Sequence, residues 1–136
     1  MKMWSGRFRQ PLNPEFEQWQ RSFPFDRRLL SQELAASRAH ARALEAAGVL
    51  SAAELTAILN GLDSIAERAA AAGAVLEDAE AEDIHHYVEK ELVASIGQTG
   101  LKLHTGRSRN EQIATDLRLY VRDRIDELAQ LLADLI

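Results

Sequence analysis

Gly48-Val49-Leu50-Ser51-Ala52-Ala53-Glu54-Leu55 reads as the bend of a helical hairpin. Gly48 supplies the permissive backbone that ends one helix. Ser51 and Glu54 have the spacing of a capping box, in which each side chain satisfies an orphan amide of the other's turn. Downstream, Leu55, Ile58, Leu59, Leu62, Ile65, Ala66 and Ala69 recur at helical spacing, and Gly73 marks a stop. Upstream, Leu30, Leu34, Ala41 and Leu44 share one face of a helix expected to open at Asp26 and run to Ala47. A link this short joins only two closely packed helices.

The rest of the chain follows the same period. Asn13 can cap a short helix that starts at Pro14 and carries Phe16 and Trp19 on one face. Ile84, Val88, Leu92 and Ile96 define a fourth helix that stops at Gly97, preceded by the acidic run Glu77 to Asp83. A fifth begins near Ser108, with Ile113, Leu117, Tyr120, Val121, Leu128, Leu131 and Leu135 as a long apolar stripe. No segment alternates apolar and polar residues over a strand length, so the expected fold is all-α. Leu131 to Ile136 holds no cap, Gly or Pro, which points to a longer helix or to a seam completed by a partner.

Composition excludes several classes of function. Hydrophobic residues make up 46% of the 136-residue chain and charged residues 27%, which is a globular balance. Cysteine is absent, ruling out disulfides, thiolate metal sites and a Cys nucleophile within this sequence. Sixteen Lys and Arg against 21 Asp and Glu leave a net charge of −5, which does not favour a nucleic-acid binder. No apolar run is long enough to span a bilayer, and Met1 to Arg7 lacks the apolar centre of a secretory signal. The expectation is a cytoplasmic protein with neither membrane nor nucleic-acid partner.

The densest group of functional side chains precedes the last helix. Gly100-Leu101-Lys102-Leu103-His104-Thr105-Gly106-Arg107-Ser108-Arg109-Asn110-Glu111 brings cations, hydroxyls and an amide to a helix N-terminus, with Ser108 and Glu111 as a second capping box. Arg grips a carboxylate with two parallel hydrogen bonds, so the loop suits a carboxylate or phosphate ligand. A basic, well-capped turn that merely solvates itself is the competing reading. The loop lacks the glycine spacing of a P-loop.

Glu82-Asp83-Ile84-His85 places a carboxylate and an imidazole three apart, as in di-iron bundles. No second Glu-x-x-His accompanies it, so a metal site is not expected. Either His85 lines a pocket beside Asp83 while His86 faces elsewhere, or both are surface histidines. His40 is expected on a helix surface. Trp4, Phe8, Phe16, Trp19, Phe23 and Phe25 suggest an N-terminal arm packed on its own domain or a neighbouring subunit. Ser22, four residues before Asp26, reads as a cap.

Thr105-Gly106-Arg107-Ser108-Arg109-Asn110-Glu111-Gln112 resembles the Thr-Gly-Arg-Ser-Arg-Asn-Asp-Gln motif of the argininosuccinate lyase and δ-crystallin family, with Glu111 in place of Asp. Trp4-Ser5-Gly6-Arg7-Phe8 resembles the family's Trp-Gly-Gly-Arg-Phe opening. Ser22 through Asp26-Arg27 resembles its Ser-x-x-Tyr-Asp-Arg stretch, with Phe25 for Tyr. Gly61-Leu62-Asp63 and Glu82-Asp83-Ile84-His85 fit in order, so the resemblance spans the chain.

The resemblance implies the fumarase/aspartase-type fold. Residues 1–107 would be the small helical N-terminal domain, and 108–136 the truncated start of the long-helix domain whose bundle forms a homotetramer core. It implies reversible β-elimination of argininosuccinate to arginine and fumarate, with no cofactor or metal. Ser22 and Asn110 match substrate-binding positions, Ser108 and Arg109 the carboxylate-holding part of the motif, and Asp83 and His85 pocket-lining positions. The family's acid/base His and Ser belong to Thr-His-x-Gln and Gly-Ser-Ser-x-Met-Pro segments, which this sequence lacks. Its active sites draw on three subunits. A non-catalytic helical module that binds an anion or a partner is the alternative.

Overall fold

A computed structural model describes residues 13–71 and 76–135. Helices α1 (Pro14–Gln20), α2 (Phe23–Asp26), α3 (Leu30–Ala46), α4 (Ala52–Ala71), α5 (Ile84–Ile96), α6 (Gln98–Leu101) and α7 (Arg109–Leu135) follow one another without a strand among the described residues. The all-α expectation holds. Gly73, Trp4 and Phe8 lie outside the described residues, so the stop and the two aromatics placed there are not addressed.

The hairpin of α3 and α4 forms as its sequence dictates. The Ser51 amide donates to Glu54 Oε2 at 2.9 Å, and the Glu54 amide to Ser51 Oγ at 3.3 Å. Gly48 adopts φ +74°, where an L side chain is strained, and the Val49 amide closes back on the Leu44 carbonyl at 2.9 Å. Leu34, Ala41 and Leu44 of α3 then meet Ile58, Leu62 and Ile65 of α4, and Val88 and Leu92 of α5 complete the core. A second cluster joins Phe23, Ala81 and Ile84, with the Phe23 and Tyr87 rings 5.5 Å apart.

Leu62 is fully buried. Leu62→Ala is expected to destabilise the chain by about 2–5 kcal/mol, because the cavity adds to the lost transfer energy. Its melting temperature should fall by roughly 10 °C. A scan by circular dichroism checks this, and a shift below a degree would mean that the hairpin does not form the core.

Three local features differ from the sequence expectation. The helix expected to open at Asp26 starts at Phe23, with Pro24 in its first turn, and tightens through a 3₁₀ turn at Arg27–Leu29 before α3. Arg27 Nη1 donates to the Leu76 carbonyl at 2.9 Å, which ties this turn to the loop before α5. Gly97 ends α5 as expected, but α6 and a 3₁₀ turn at Lys102–His104 follow, both too short to leave a periodic signature. They need Gly100: a Cβ there would stand 3.0–3.2 Å from the backbone of Leu92 and Val93. Finally, Phe16, Trp19 and Phe25 are exposed, so among the described aromatics of the expected arm only Phe23 packs into the domain.

The last helix inverts the usual pattern. Its buried residues are Gln112 and Asp116, whereas Ile113, Leu117, Val121, Ile125, Leu128, Leu131, Leu132 and Leu135 are exposed. The polar row faces α3 and the apolar stripe faces outward.

Candidate functional site

Three N-terminal turns converge on one region, and each is held by its own sequence. Asp83 is the N-cap of α5, its Oδ1 accepting from the His86 amide at 2.6 Å. Ser22 occupies the N-cap position of α2, but its hydroxyl donates to Asp26 Oδ2 at 2.6 Å rather than capping the helix. Asp26 Oδ1 accepts from the Ile84 amide at 3.0 Å, and the Ser22 and Phe23 amides donate to the Glu82 carbonyl at 2.9 and 3.0 Å. Burial pushes the Asp26 carboxyl up, helped by the Asp83 charge and opposed by the Ser22 hydroxyl. Ser108 opens α7: its amide donates to Glu111 Oε2 at 3.0 Å, and its Oγ accepts from the Asn110 amide at 3.3 Å.

Arg109 joins two of these turns. Its Nε lies 3.3 Å from Asp83 Oδ2, and its Nη1 donates to Gln112 Oε1 at 3.2 Å. Gln112 Nε2 reaches Glu33 Oε1 at 3.4 Å, and His85 Nδ1 stands 2.6 Å from Glu33 Oε2. Ser22, Asp83, His85, Ser108, Arg109 and Asn110 are thus carried by the starts of α2, α5 and α7. Asp83, Arg109 and His85 share one network of hydrogen bonds and an ion pair, Ser22 is tied to α5 through Asp26, and Ser108 and Asn110 are exposed.

Both histidines are buried, so the surface reading of His85 and His86 does not hold. His86 Nδ1 accepts from the Glu82 amide at 3.2 Å and braces the α5 start. His40 Nε2 lies 3.1 Å from the Thr105 carbonyl, pinning the motif turn to α3. The cations of the loop have carboxylate partners: Lys102 bonds to Glu54, Arg107 Nη1 lies 3.7 Å from Glu33, and Arg109 pairs with Asp83. Arg107 is largely buried and donates to Ser37 Oγ at 2.8 Å, so it supports the site from behind.

Sequence reasoning missed Glu33, Ser37, Gln112 and Asp116. Glu33 and Ser37 sit within the buried stripe of α3, between Leu30, Leu34 and Ala41, and that interruption was the available signal. Burial alone would push the Glu33 carboxyl up, but the hydrogen bonds from His85 and the Ser37 hydroxyl and the Arg107 charge hold it well below the usual range. A small cleft is lined by Glu33, Ser37, His85, Gly100, His104 and Arg107. Such an arrangement orients an imidazole and an Arg next to a helix N-terminus, as the recognition of a carboxylate-bearing ligand requires.

Residues 6–136 match the family described as Lyase. The chain belongs to this lyase family. Its all-α architecture accords with the fumarase/aspartase type of fold. The sequence is 61% identical over 136 residues to argininosuccinate lyase of Koribacter versatilis, covering all of this chain and 29% of that protein. It is 62% identical over 133 residues to argininosuccinate lyase of Acidobacterium capsulatum, covering 94% of this chain and 27% of the relative. To argininosuccinate lyase of a Synechococcus strain it is 51% identical over 132 residues, 97% of this chain and 27% of that one. The chain spans less than a third of the length of these curated relatives.

Proposed function

We propose that the chain is the N-terminal portion of an argininosuccinate lyase, cleaving argininosuccinate reversibly to arginine and fumarate by β-elimination. The observation that carries this reading is the union, through Arg109, Gln112 and Glu33, of the Thr105–Gln112 turn with Asp83 and His85 at the start of α5. The relatives' names supply the substrate. In this reading Ser22, Asp83, His85, Ser108, Arg109 and Asn110 bind substrate. Residues 1–107 form the small helical domain, and 108–136 begin the long-helix domain that assembles a homotetramer in the cytoplasm. The reaction uses no cofactor or metal, and neither nucleic acid nor membrane takes part.

Abstracting a proton from the carbon beside a carboxylate places negative charge on that carboxylate. Fixed donors must hold it as it forms. Arg109 is a donor of that kind, oriented by Asp83 and Gln112. The acid and base themselves belong to segments that this sequence lacks, so this chain handles substrate and does not turn it over.

The full-length gene product incubated with argininosuccinate should release fumarate, followed by its ultraviolet absorbance. The 136-residue chain by itself should match a protein-free blank. No fumarate from the full-length protein would overturn the substrate assignment and favour the non-catalytic anion-binding module. Turnover by the short chain, purified from a host without its own lyase, would overturn the claim that the acid and base lie elsewhere.

A further inference from the structure

Behind the candidate site, Glu33 of α3, His85 of α5 and Asp116 of α7 bring one ligating atom each to within 4.8 Å of one another. All three side chains are 0–2% exposed. Glu33 is amply partnered, by His85 Nδ1 at 2.6 Å, Ser37 Oγ at 2.6 Å and Gln112 Nε2 at 3.4 Å. Asp116 is the opposite case: both of its oxygens are buried without a hydrogen-bond partner, and His85 Nδ1 is 3.7 Å from Oδ2. An ionised carboxylate left in that state is strongly disfavoured.

We propose that Asp116 carries a proton which it donates to Glu33, and that this carboxyl pair acts as a positioning device for His85, holding its hydrogen on Nδ1 and turning Nε2 to the ligand. With that one proton, Asp116 becomes a donor and Glu33 an acceptor, and one of the two orphaned oxygens finds a partner while the other is left uncharged. Charge also balances: one carboxylate, one neutral acid and the Arg107 guanidinium 3.7 Å from Glu33. A metal ion fits less well. Tetrahedral ligands held at about 2.0–2.2 Å stand roughly 3.3–3.6 Å from one another, whereas His85 Nδ1 and Glu33 Oε2 are 2.6 Å apart, the spacing of a shared proton. Like charges in a dry site do not both ionise, which is the logic of paired catalytic carboxyls. Burial first, and the Glu33 charge and hydrogen bond after it, push the Asp116 carboxyl up, against Arg107 and with Asp26 adding to the rise. Fixing the hydrogen on one imidazole nitrogen leaves the other as the acceptor that a ligand meets. The role of Nε2 rests on the substrate reading above; the proton and the tautomer do not.

The test uses nitrogen-15 NMR of the histidines in the 136-residue chain, with thermal melts across pH. His85 should be the Nδ1–H tautomer. Asp116 binds a proton more tightly folded than unfolded, so its contribution to stability declines as pH rises from about 4 to about 8. Asp116→Asn keeps a donor toward Glu33 without a titrating proton. This variant should preserve the tautomer, melt close to the parent near pH 4 and melt several degrees above it at pH 8.5. Asp116→Ala removes the proton but leaves Glu33 to accept from His85 Nδ1, so it should keep the tautomer and, like the Asn variant, lose the decline in melting temperature above pH 4. An Nε2–H tautomer in the parent, parallel melting curves for parent and Asn variant, or stoichiometric zinc or manganese binding abolished by Asp116→Asn would each overturn the proposal. Failure of the full-length protein to release fumarate would leave these measurements intact and sink only the ligand assignment.

Discussion

Arg109→Ala in the full-length protein should lower kcat/KM for argininosuccinate by at least one to two orders of magnitude, because charge-assisted hydrogen bonds are worth about 1.5–3 kcal/mol each. The loss has two sources. The cationic grip at the start of α7 disappears, and Asp83, whose Oδ2 faces Arg109 Nε at 3.3 Å, keeps its charge without that partner. The Asp83 cap itself should survive, since Oδ1 still accepts from the His86 amide. Helix content and melting temperature should therefore change little while the kinetics collapse. Arg109→Lys should recover only part of the loss, because an ammonium cannot bond in the forked manner of a guanidinium. Circular dichroism and fumarate release measured on one preparation check the prediction. Unchanged kinetics would assign Arg109 to the architecture of the turn.

The second large effect concerns the outer face of α7. Leu128, Leu131 and Leu132 are 58–61% exposed, and Leu135 is 82% exposed. Burying each such side chain fully is worth about 1.5–3 kcal/mol, and a continuous exposed stripe of this kind is an association surface. The unmodified chain is expected to scatter light as a species heavier than its 15.2 kDa monomer, with a mass that grows with concentration. Leu128→Glu combined with Leu131→Glu should return it to 15.2 kDa without loss of the α3–α4 hairpin. A monomeric parent with amide protection extending to Leu135 would contradict this, since it would mean that the chain covers the stripe itself.

The hairpin was legible because its signals are local. Ser51 and Glu54 cap one another across three residues, and the apolar positions of α4 repeat without interruption. The Gly97 stop was legible for the same reason. The short helix α6 was not, because a single turn has no period, and its place is fixed by Gly100 lying against the backbone of α5. The motif turn announced its residues but not their partners. Arg107 read as a cation offered to an anion, and it lies instead against Glu33 and Ser37, some 70 residues away along the chain. Helical periodicity found the apolar stripe of α7, whose exposure matches its reading as a seam for a partner, but it gave no sign that Gln112 and Asp116 are the residues turned toward α3. Polar residues inside a buried stripe, as Glu33 and Ser37 are, mark where such a reading should stop.

Helix α7 is mechanically a cantilever. It is moored near its base by Gln112 and Asp116, and by Gln32 Nε2 bonding to Asp123 Oδ2 at 2.6 Å, and beyond that point its side chains are exposed. At 1.5 Å per residue its 27 residues make a beam of about 40 Å. Measured from Asp123, the last of these moorings, a tilt of about 5° carries Leu135 through roughly 1.6 Å. A clamp that holds it to about 1 Å therefore fixes the angle to about 3°. Displacements on the scale of 1 Å are large enough to matter for catalysis. The aim of the Ser108–Asn110 turn can thus be set by whatever grips the far end of the beam.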